Sequence, residues 1–228
     1  MVLLSTIHPT VPRSTIASEK MATPPTSTAL ESPPQRQRIL HAAMALFMER
    51  GYAATSTLAI ASAAKVSKRD LYAAFSGKQA ILAACVRQRA GDMQAPLLME
   101  RPTGRDELTA VLVRYGVGLR TGVTDPQVIA AYRLAIQEVP HNPEVAQALH
   151  EEGRMAAFRA VVELLRTAQA NGVIRPGPAE PMAALFLALL IGDLVLEHLL
   201  GFTQPDAGAD TQTCAERAAA ALLGLYGA

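Results

Sequence analysis

Apolar residues recur three and four positions apart along most of the chain from Gln35 onwards, which is the spacing of one face of an α-helix. No segment alternates apolar and polar residues as a half-buried strand would. Residues 1–33 lack such a period and are rich in Ser, Thr and Pro. The pattern therefore predicts an all-α fold, preceded by a disordered N-terminal tail over residues 1–33.

Four helices are predicted directly after the tail, and the middle two are short. The first ends at Gly51, a residue type common at helix C-termini. Residues 55–57 can cap the second helix, Ser67 can cap the third, and the fourth begins near Lys78. Two short helices joined by three or four residues and supported by a first helix are typical of a helix-turn-helix. Helical hairpins of other kinds share this spacing.

Longer helices are predicted in the rest of the chain, near residues 105–121, 125–139, 143–171, 179–201 and 209–226. The most apolar window, Met182–Ile191, is followed by Asp193 and Glu197. Its uncharged part is shorter than the roughly 20 residues that a bilayer span requires. We therefore expect a buried helix there and no membrane partner.

The formal net charge of +1 hides two segments of opposite sign. Residues 34–90 hold nine basic residues against two acidic ones, whereas residues 91–228 hold ten Arg and no Lys against sixteen acidic residues. The first segment suits phosphate contact and the second does not. Cys85 and Cys214 form no CxxC pair, so we expect a reduced, cytoplasmic protein without a bound metal or other cofactor.

The basic segment resembles the DNA-binding domain of the TetR family. The resemblance covers about 50 consecutive residues in order and without gaps. The matching elements are Ile39-Leu40, Ala42-Ala43, Leu46-Phe47, Gly51-Tyr52, Thr55-Ser56, Ile60-Ala61, Ala63-Ala64, Val66-Ser67-Lys68, Leu71-Tyr72, Phe75 and Lys78. The resemblance implies a three-helix DNA-binding head over residues 34–94, with Lys68 to Phe75 as the recognition helix, and a homodimer that binds a near-palindromic operator.

Eight residues of the head are candidates for DNA contact by this resemblance: Thr55, Ser56, Ser67, Lys68, Arg69, Asp70, Tyr72 and Lys78. The three hydroxyl residues lie at helix starts and can offer donors to phosphates, and Tyr72 resembles the phosphate-contacting tyrosine of the family. Lys78 adds charge at the start of the fourth helix. Arg69 is the candidate base reader, because a guanidinium can bind guanine through two hydrogen bonds.

The head also departs from the family pattern at several positions. Lys65 replaces the usual glycine of the turn, so a side chain is expected on left-handed backbone at a cost of about 1 kcal/mol. Asp70 stands where a small hydroxyl residue is common, and its carboxylate could accept from cytosine or repel a phosphate. Ala73 and Ala74 replace bulkier polar residues. No operator sequence can therefore be transferred from the family.

Residues 95–228 are expected to bind an effector and to form the dimer. The segment Tyr132–Arg154 resembles effector domains of TetR-like regulators, whose ligands are usually small apolar or amphipathic molecules. The resemblance also implies a dimer through the last two helices. Two apolar stripes, one on each helix, are candidates for that interface, with an ordinary intramolecular core as the alternative: Ala215, Ala219, Leu222, Leu223 and Tyr226, and Met182, Leu185, Phe186 and Leu189.

Candidate pocket residues in this larger part are Leu112, Tyr115, Tyr132, Phe158, Leu165, Phe186 and Asp193. Asp193 lies near Glu197 and His198, and a ligand cation, an arginine partner or the end of the dimer interface could each satisfy its charge. Glu138 and His141 have the spacing of an iron-binding pair, but Pro140 between them ends the helix. No catalytic motif is present, so we expect no enzyme activity.

The favoured hypothesis is a transcriptional repressor released from its operator by a small effector. An activator with the same head stays open. The alternative of a different class is a helical small-molecule-binding module or enzyme that does not bind DNA.

Overall fold

The computed structural model describes residues 34–202 and 207–227, which form one compact unit. The described residues are helical apart from turns, loops and one isolated bridge between Ile174 and Gly227, which agrees with the predicted all-α class. The tail predicted over residues 1–33 lies outside the described residues. The helices are α1 (Gln35–Arg50), α2 (Thr57–Ala63), α3 (Lys68–Ala74), α4 (Lys78–Leu98), α5 (Arg105–Val123), α6 (Pro126–Glu138), α7 (Glu144–Ala148), α8 (Met155–Ala170), α9 (Ala179–Ile191), α10 (Leu194–Leu200) and α11 (Ala207–Tyr226).

Local sequence explains where the short helices begin. Ser56 is the N-cap of α2, and its hydroxyl accepts a hydrogen bond from the Ala59 N–H at 3.1 Å. Ser67 caps α3 in the same way, accepting from the Asp70 N–H at 3.1 Å. Both caps were predicted from the sequence, and the structure confirms them.

The turn between α2 and α3 has left-handed backbone at Lys65, with φ of 54°. Lys65 N–H donates to the Ser62 carbonyl and Val66 N–H donates to the Ala61 carbonyl, which together form a Schellman motif. This confirms the left-handed backbone that was expected at this position, which glycine adopts without strain.

Two hydrophobic cores hold the described residues together. The core of the head lies between α1, α2, α3 and the first half of α4, and its largest buried side chains include Phe47, Tyr52 and Leu71. This core is completed by four side chains from beyond residue 94, namely Leu134, Ala135, Val145 and Ala148 of α6 and α7. The second core lies between α5, α8, α9 and α11. The head is therefore packed directly onto α6 and α7.

The helix predicted over 143–171 is continuous but changes its hydrogen-bonding pattern once. Helix α7 passes through a π-helical turn, Leu149–Arg154, into α8. The turn packs against α4, and Gly153 lies beside Val86 there, since a Cβ on Gly153 would be in ordinary van der Waals contact with the Val86 side chain. Glu152 accepts two hydrogen bonds from the Arg87 guanidinium, at 2.7 and 2.5 Å, which lowers the pKa of the Glu152 carboxyl.

The prediction of a single helix over residues 179–201 is wrong, because α9 ends at Ile191 and α10 begins at Leu194. Gly192 has φ of 45°, which is incompatible with a continuing right-handed helix. The end of α9 is capped from α5 by the buried Arg120, whose Nη1 donates to the Leu190 carbonyl at 2.6 Å. The break was missed because the apolar pattern runs across it without a change.

The two apolar stripes that were candidates for the dimer interface mostly face the chain's own core. Four of the five stripe residues on α11 are buried there, Ala215, Ala219, Leu222 and Leu223, and Tyr226 is partly buried against the same core. On α9, Met182 and Phe186 are buried, Leu185 is half-buried, and Leu189 is 45% exposed. Met182–Ile191 is thus a half-buried helix and not the fully buried one that was expected.

Candidate nucleic-acid interface and effector domain

Polar side chains on α3 and at the start of α2 lie next to one another at the surface of the head. Ser56 and Lys68 are exposed, and Thr57 is half-buried beside them. The Thr57 hydroxyl and the Tyr72 hydroxyl are hydrogen-bonded to each other at 3.0 Å, which ties the two short helices together at their outer surface. Tyr72 itself is 45% exposed. A polar row therefore lies across both helices.

The first turn of α3 presents two cations beside a carboxylate that is already engaged. The Ser67 hydroxyl donates to Asp70 Oδ2 at 2.6 Å, in addition to accepting from the Asp70 N–H. Lys68 lies over the Tyr72 ring, with Nζ 5.9 Å from the ring centroid. Arg69 is exposed and has no intramolecular polar partner within the described ranges. Its guanidinium is thus available for a nucleic-acid base or phosphate.

Thr55 has a different place from the one predicted. Its side chain is only 1% exposed, and its hydroxyl lies 3.2 Å from the Leu46 carbonyl and 2.8 Å from the Gly51 carbonyl, to which it donates. A phosphate cannot reach this buried hydroxyl. Thr55 therefore closes the α1–α2 turn, and the prediction of direct DNA contact for its side chain is corrected. The neighbouring Ser56 keeps the exposed position.

The Lys78 side chain contacts the turn between α1 and α2. Its Nζ donates to the Tyr52 carbonyl at 2.8 Å and to the Ala53 carbonyl at 3.4 Å, and lies 4.2 Å from the centroid of the Tyr52 ring. An ammonium has three donors, so one N–H is left for a phosphate. DNA contact by Lys78 stays a prediction, and the structure shows that the side chain braces the turn.

Acidic residues from the α6–α7 region hold the same turn from the other side. Glu138 Oε1 accepts from the Ala53 N–H at 3.3 Å. Burial raises the pKa of Tyr52 to about 12, with further contributions from the charge and hydrogen bond of Glu144 and the charge of Glu138. Sequence reasoning missed Glu138 in this role, because its partner is 85 positions away and no local pattern marks the contact.

The seven predicted pocket residues are not gathered around one opening. Leu112, Leu165 and Phe186 are fully buried in the C-terminal core, Tyr115 is 7% exposed, and Phe158 packs against the same core. Tyr132 lies outside that core and Asp193 is exposed. Apolar side chains at helical spacing are expected in a close-packed core whether or not a ligand binds there. Spacing alone therefore does not distinguish a core residue from a ligand-contacting residue. Asp193 is corrected from a pocket residue to a surface residue at the α9–α10 break.

Two open clefts lie away from those residues. One, of about 690 Å³, is formed by the outer face of α5 and by Gln212 and Glu216 of α11. The other, of about 730 Å³, lies between α1, the α2–α3 turn and Gln88 of α4. Neither contains a residue of the predicted pocket.

Two buried polar atoms in the described C-terminal domain have no hydrogen-bond partner: Tyr115 Oη and Arg120 Nε. Burial raises the pKa of Tyr115, so its hydroxyl stays neutral and protonated. Arg120 is otherwise well held, because its Nη1 also lies 3.3 Å from Cys214 Sγ and its Nη2 lies 3.6 Å from Asp210. The Tyr115 hydroxyl is therefore an unused donor inside an otherwise apolar core.

A capped, two-helix motif with an exposed polar row, carried on a basic three-helix head, defines a helix-turn-helix DNA-binding protein. Comparison with family models agrees with this class. Residues 39–85 match the model for bacterial regulatory proteins of the tetR family, and residues 110–228 match the C-terminal domain of AefR-like transcriptional repressors. The chain belongs to the TetR family of transcriptional regulators.

Individual relatives support the same assignment. The chain is 27% identical over 168 residues to the HTH-type transcriptional regulator YvkB of Bacillus subtilis. The matched region covers 74% of this chain and 85% of YvkB. The chain is also 30% identical over 166 residues to UidR of Escherichia coli, covering 72% and 82%. Among solved structures, the flavonoid-responsive regulator FrrA superposes with a TM-score of 0.68 at 26% identity, covering 86% of this chain and 98% of that one. The chain is thus a DNA-binding transcriptional regulator.

Proposed function

We propose that this regulator represses transcription as a homodimer on a near-palindromic operator and is released by a small apolar or amphipathic effector, with no catalytic step. The observation that carries the proposal is the polar row across α2 and α3 on a head with nine basic residues against two acidic ones. Such a surface binds the phosphate backbone through its charge and the base edges through its recognition helix.

The DNA-contacting residues of this proposal differ in role. Arg69, with no intramolecular partner among the described residues, is the base reader. Lys68, Tyr72 and the third donor of Lys78 contact phosphates. Ser56 and Ser67 offer the N-terminal ends of α2 and α3 to the same phosphates. The Asp70 carboxylate accepts a hydrogen bond from the Ser67 hydroxyl and so orders the start of α3.

The homodimer in this proposal uses the faces of α9 and α11 that the chain leaves uncovered. On α9, Ala184 and Ala188 are exposed four residues apart, and Leu189 is exposed beside Ala188. On α11 the exposed positions are two adjacent pairs four residues apart, Ala220-Ala221 and Gly224-Leu225, which lie on one face of the helix. Small residues allow close approach of paired helices, and Leu189 and Leu225 are 45% and 56% exposed, which favours burial in a partner.

A dimer also accounts for the most apolar segment of the chain. Ala179–Leu200 is long and apolar enough to cross a membrane by length and composition, and only 17% of its most apolar window is buried in the described structure. The segment breaks at Gly192, however, and carries Asp193 and Glu197 just beyond. An exposed apolar helix with such a break fits a subunit interface of a cytoplasmic protein better than a bilayer span.

The effector of this proposal binds in the C-terminal core beside Tyr115. FrrA, at 26% identity, is described as flavonoid-responsive, and a flavonoid is a mainly apolar molecule with a few oxygen atoms. The buried Tyr115 hydroxyl, which lacks a partner within the described residues, could donate to one such oxygen. A ligand that enters this close-packed core must displace helices, and displaced helices change the spacing of the two recognition helices in the dimer.

Selection of bound sites from random double-stranded DNA tests the proposal. The purified full-length protein is expected to enrich one inverted repeat, and Arg69→Ala is expected to relax the preference at one base pair of each half-site, by about 1–3 kcal/mol. Arg89→Ala is the matched control, because it removes the same charge from the head but at a residue paired with Asp125. Enrichment is expected to disappear when a flavonoid or another apolar effector is added. If the wild-type protein enriches no sequence and binds DNA without salt dependence, the proposal is wrong.

A further inference from the structure

We infer that Glu138, in the C-terminal domain, is a positioning residue for DNA binding: its carboxylate fixes the α1–α2 turn of the head, so that movement of α6 changes how the start of α2 meets DNA. The inference rests on the proposed function, because it concerns the regulation of the same DNA-binding face. It assigns this role to a residue that does not itself contact DNA.

The geometry of the Glu138 carboxylate supports such a role. Oε1 lies 3.3 Å from the Ala53 backbone nitrogen and accepts its N–H. Oε2 accepts from Asn142 Nδ2 at 2.6 Å, which fixes the orientation of the carboxylate. A Cβ built on Gly51 would lie 3.8 Å from Oε1, so the carboxylate sits directly against the turn.

The turn that Glu138 holds leads directly to the DNA-facing end of α2. Ala53 precedes the N-cap Ser56 by three residues. Lys78 of α4 donates to the carbonyls of Tyr52 and Ala53, whereas Glu138 of α6 accepts from the Ala53 N–H. The C=O and the N–H of the peptide bond between Tyr52 and Ala53 are therefore hydrogen-bonded to two different helices. Loss of either contact lets the start of α2 move.

Helix α6 is also attached to the rest of the C-terminal domain. Arg133, five residues before Glu138, donates to the carbonyls of His198 and Leu199 at 3.1 and 3.3 Å, which cap the end of α10. Leu134 and Ala135 of the same helix lie in the core of the head. A shift of α10 must therefore be taken up by α6 and passed to the turn through Glu138.

The experiment compares Glu138→Ala with Glu138→Gln. Both variants remove the same negative charge near DNA, but a glutamine oxygen can still accept from the Ala53 N–H, and the Asn142 amide can rotate to meet the glutamine NH₂. Gln137→Ala, on an exposed neighbour in α6, controls for truncation on this helix. The readouts are operator affinity on the site selected by wild type, its salt dependence, and hydrogen exchange of the peptide that covers residues 51–57.

The expected result separates the two variants. Glu138→Ala binds the selected site about fivefold more weakly than Glu138→Gln, as expected for one lost hydrogen bond between neutral groups. The salt slope is the same in both, because no phosphate contact is lost. Hydrogen exchange over residues 51–57 is faster in Glu138→Ala only, and Gln137→Ala behaves like wild type.

Equal affinity and equal exchange in Glu138→Ala and Glu138→Gln would overturn the inference. Faster exchange without a change in affinity would also overturn it, because the turn would then not influence DNA binding. If the wild-type protein selects no DNA site, the proposed function fails separately. In that case the exchange measurement alone still decides whether Glu138 holds the turn.

Discussion

Substitution of Lys78 by methionine distinguishes the bracing role of this side chain from its role in DNA binding. Methionine keeps the apolar stem of lysine but removes the ammonium. The variant therefore loses the hydrogen bonds to the Tyr52 and Ala53 carbonyls and the contact with the Tyr52 ring. It leaves a partly buried carbonyl at 52 without its partner.

The expected loss in the free energy of unfolding can be estimated from these contacts. A hydrogen bond from a charged group contributes about 1.5–3 kcal/mol, and we take the lower end because Lys78 is half-buried. The cation–π contact adds about 0.5–1 kcal/mol at a partly exposed site. The expected loss of about 2 kcal/mol corresponds to a fall in Tm of about 4–8 °C for a chain of this size.

Urea denaturation and thermal unfolding at fixed protein concentration measure this loss. Lys68→Met is the matched control, because Lys68 lies only over the exposed Tyr72 ring and holds no carbonyl in the described structure. Both variants are expected to lower the slope of operator affinity against salt by about one, since each loses one phosphate contact. Only Lys78→Met should lose stability. A Lys78→Met protein with the wild-type midpoint would refute the bracing argument.

Four further substitutions or titrations test individual features of the structure. Arg120→Met should lower the free energy of unfolding, measured by urea denaturation, by about 2–3 kcal/mol, because the buried Leu190 carbonyl loses its charged donor and keeps only the long contact with Cys214 Sγ; an unchanged midpoint would contradict this. Tyr115→Phe should raise it by about 1 kcal/mol, because the removed hydroxyl has no partner in the described residues; a loss would show that the hydroxyl is hydrogen-bonded. Lys65→Gly should raise Tm slightly, since the strain of about 1 kcal/mol at φ of 54° exceeds the extra chain entropy of glycine in the unfolded state; a lower Tm would count against strain. Because the pKa of Tyr52 is raised to about 12, the unfolded chain loses this proton first, and stability should fall between about pH 10 and 12. Tyr52→Phe should make that part of the pH profile flatter, and an equally steep profile would contradict the assignment.

Features governed by local sequence could be predicted. The caps Ser56 and Ser67 and the left-handed Lys65 depend on a few neighbouring residues, so the pattern of residue types was enough to find them. The split of charge between head and remainder likewise needed only a count along the chain.

Features that depend on which face of a helix meets the core could not be predicted. Helix α9 is apolar on nearly all sides between Met182 and Ile191, so its pattern did not distinguish the buried Phe186 from the exposed Leu189. The same ambiguity hid the break at Gly192, because Leu194 continues the apolar run after it. DNA contact by the buried Thr55 hydroxyl was predicted wrongly for a related reason. A hydroxyl residue near the start of a helix gives the same sequence pattern whether its side chain faces solvent or the interior of the chain.

The structure also explains why the head cannot respond independently of the C-terminal domain. Helix α4 contributes Ile81 and Leu82 to the core of the head and Leu97 to the C-terminal core. The continuous helix from α7 to α8 likewise supplies Val145 to the first core and Leu164 to the second. Because each of these helices is part of both cores, a displacement in the C-terminal core is transmitted along them to the head. The π-helical turn between α7 and α8, packed on α4, is the place in this connection where the hydrogen-bonding register departs from the α-helix.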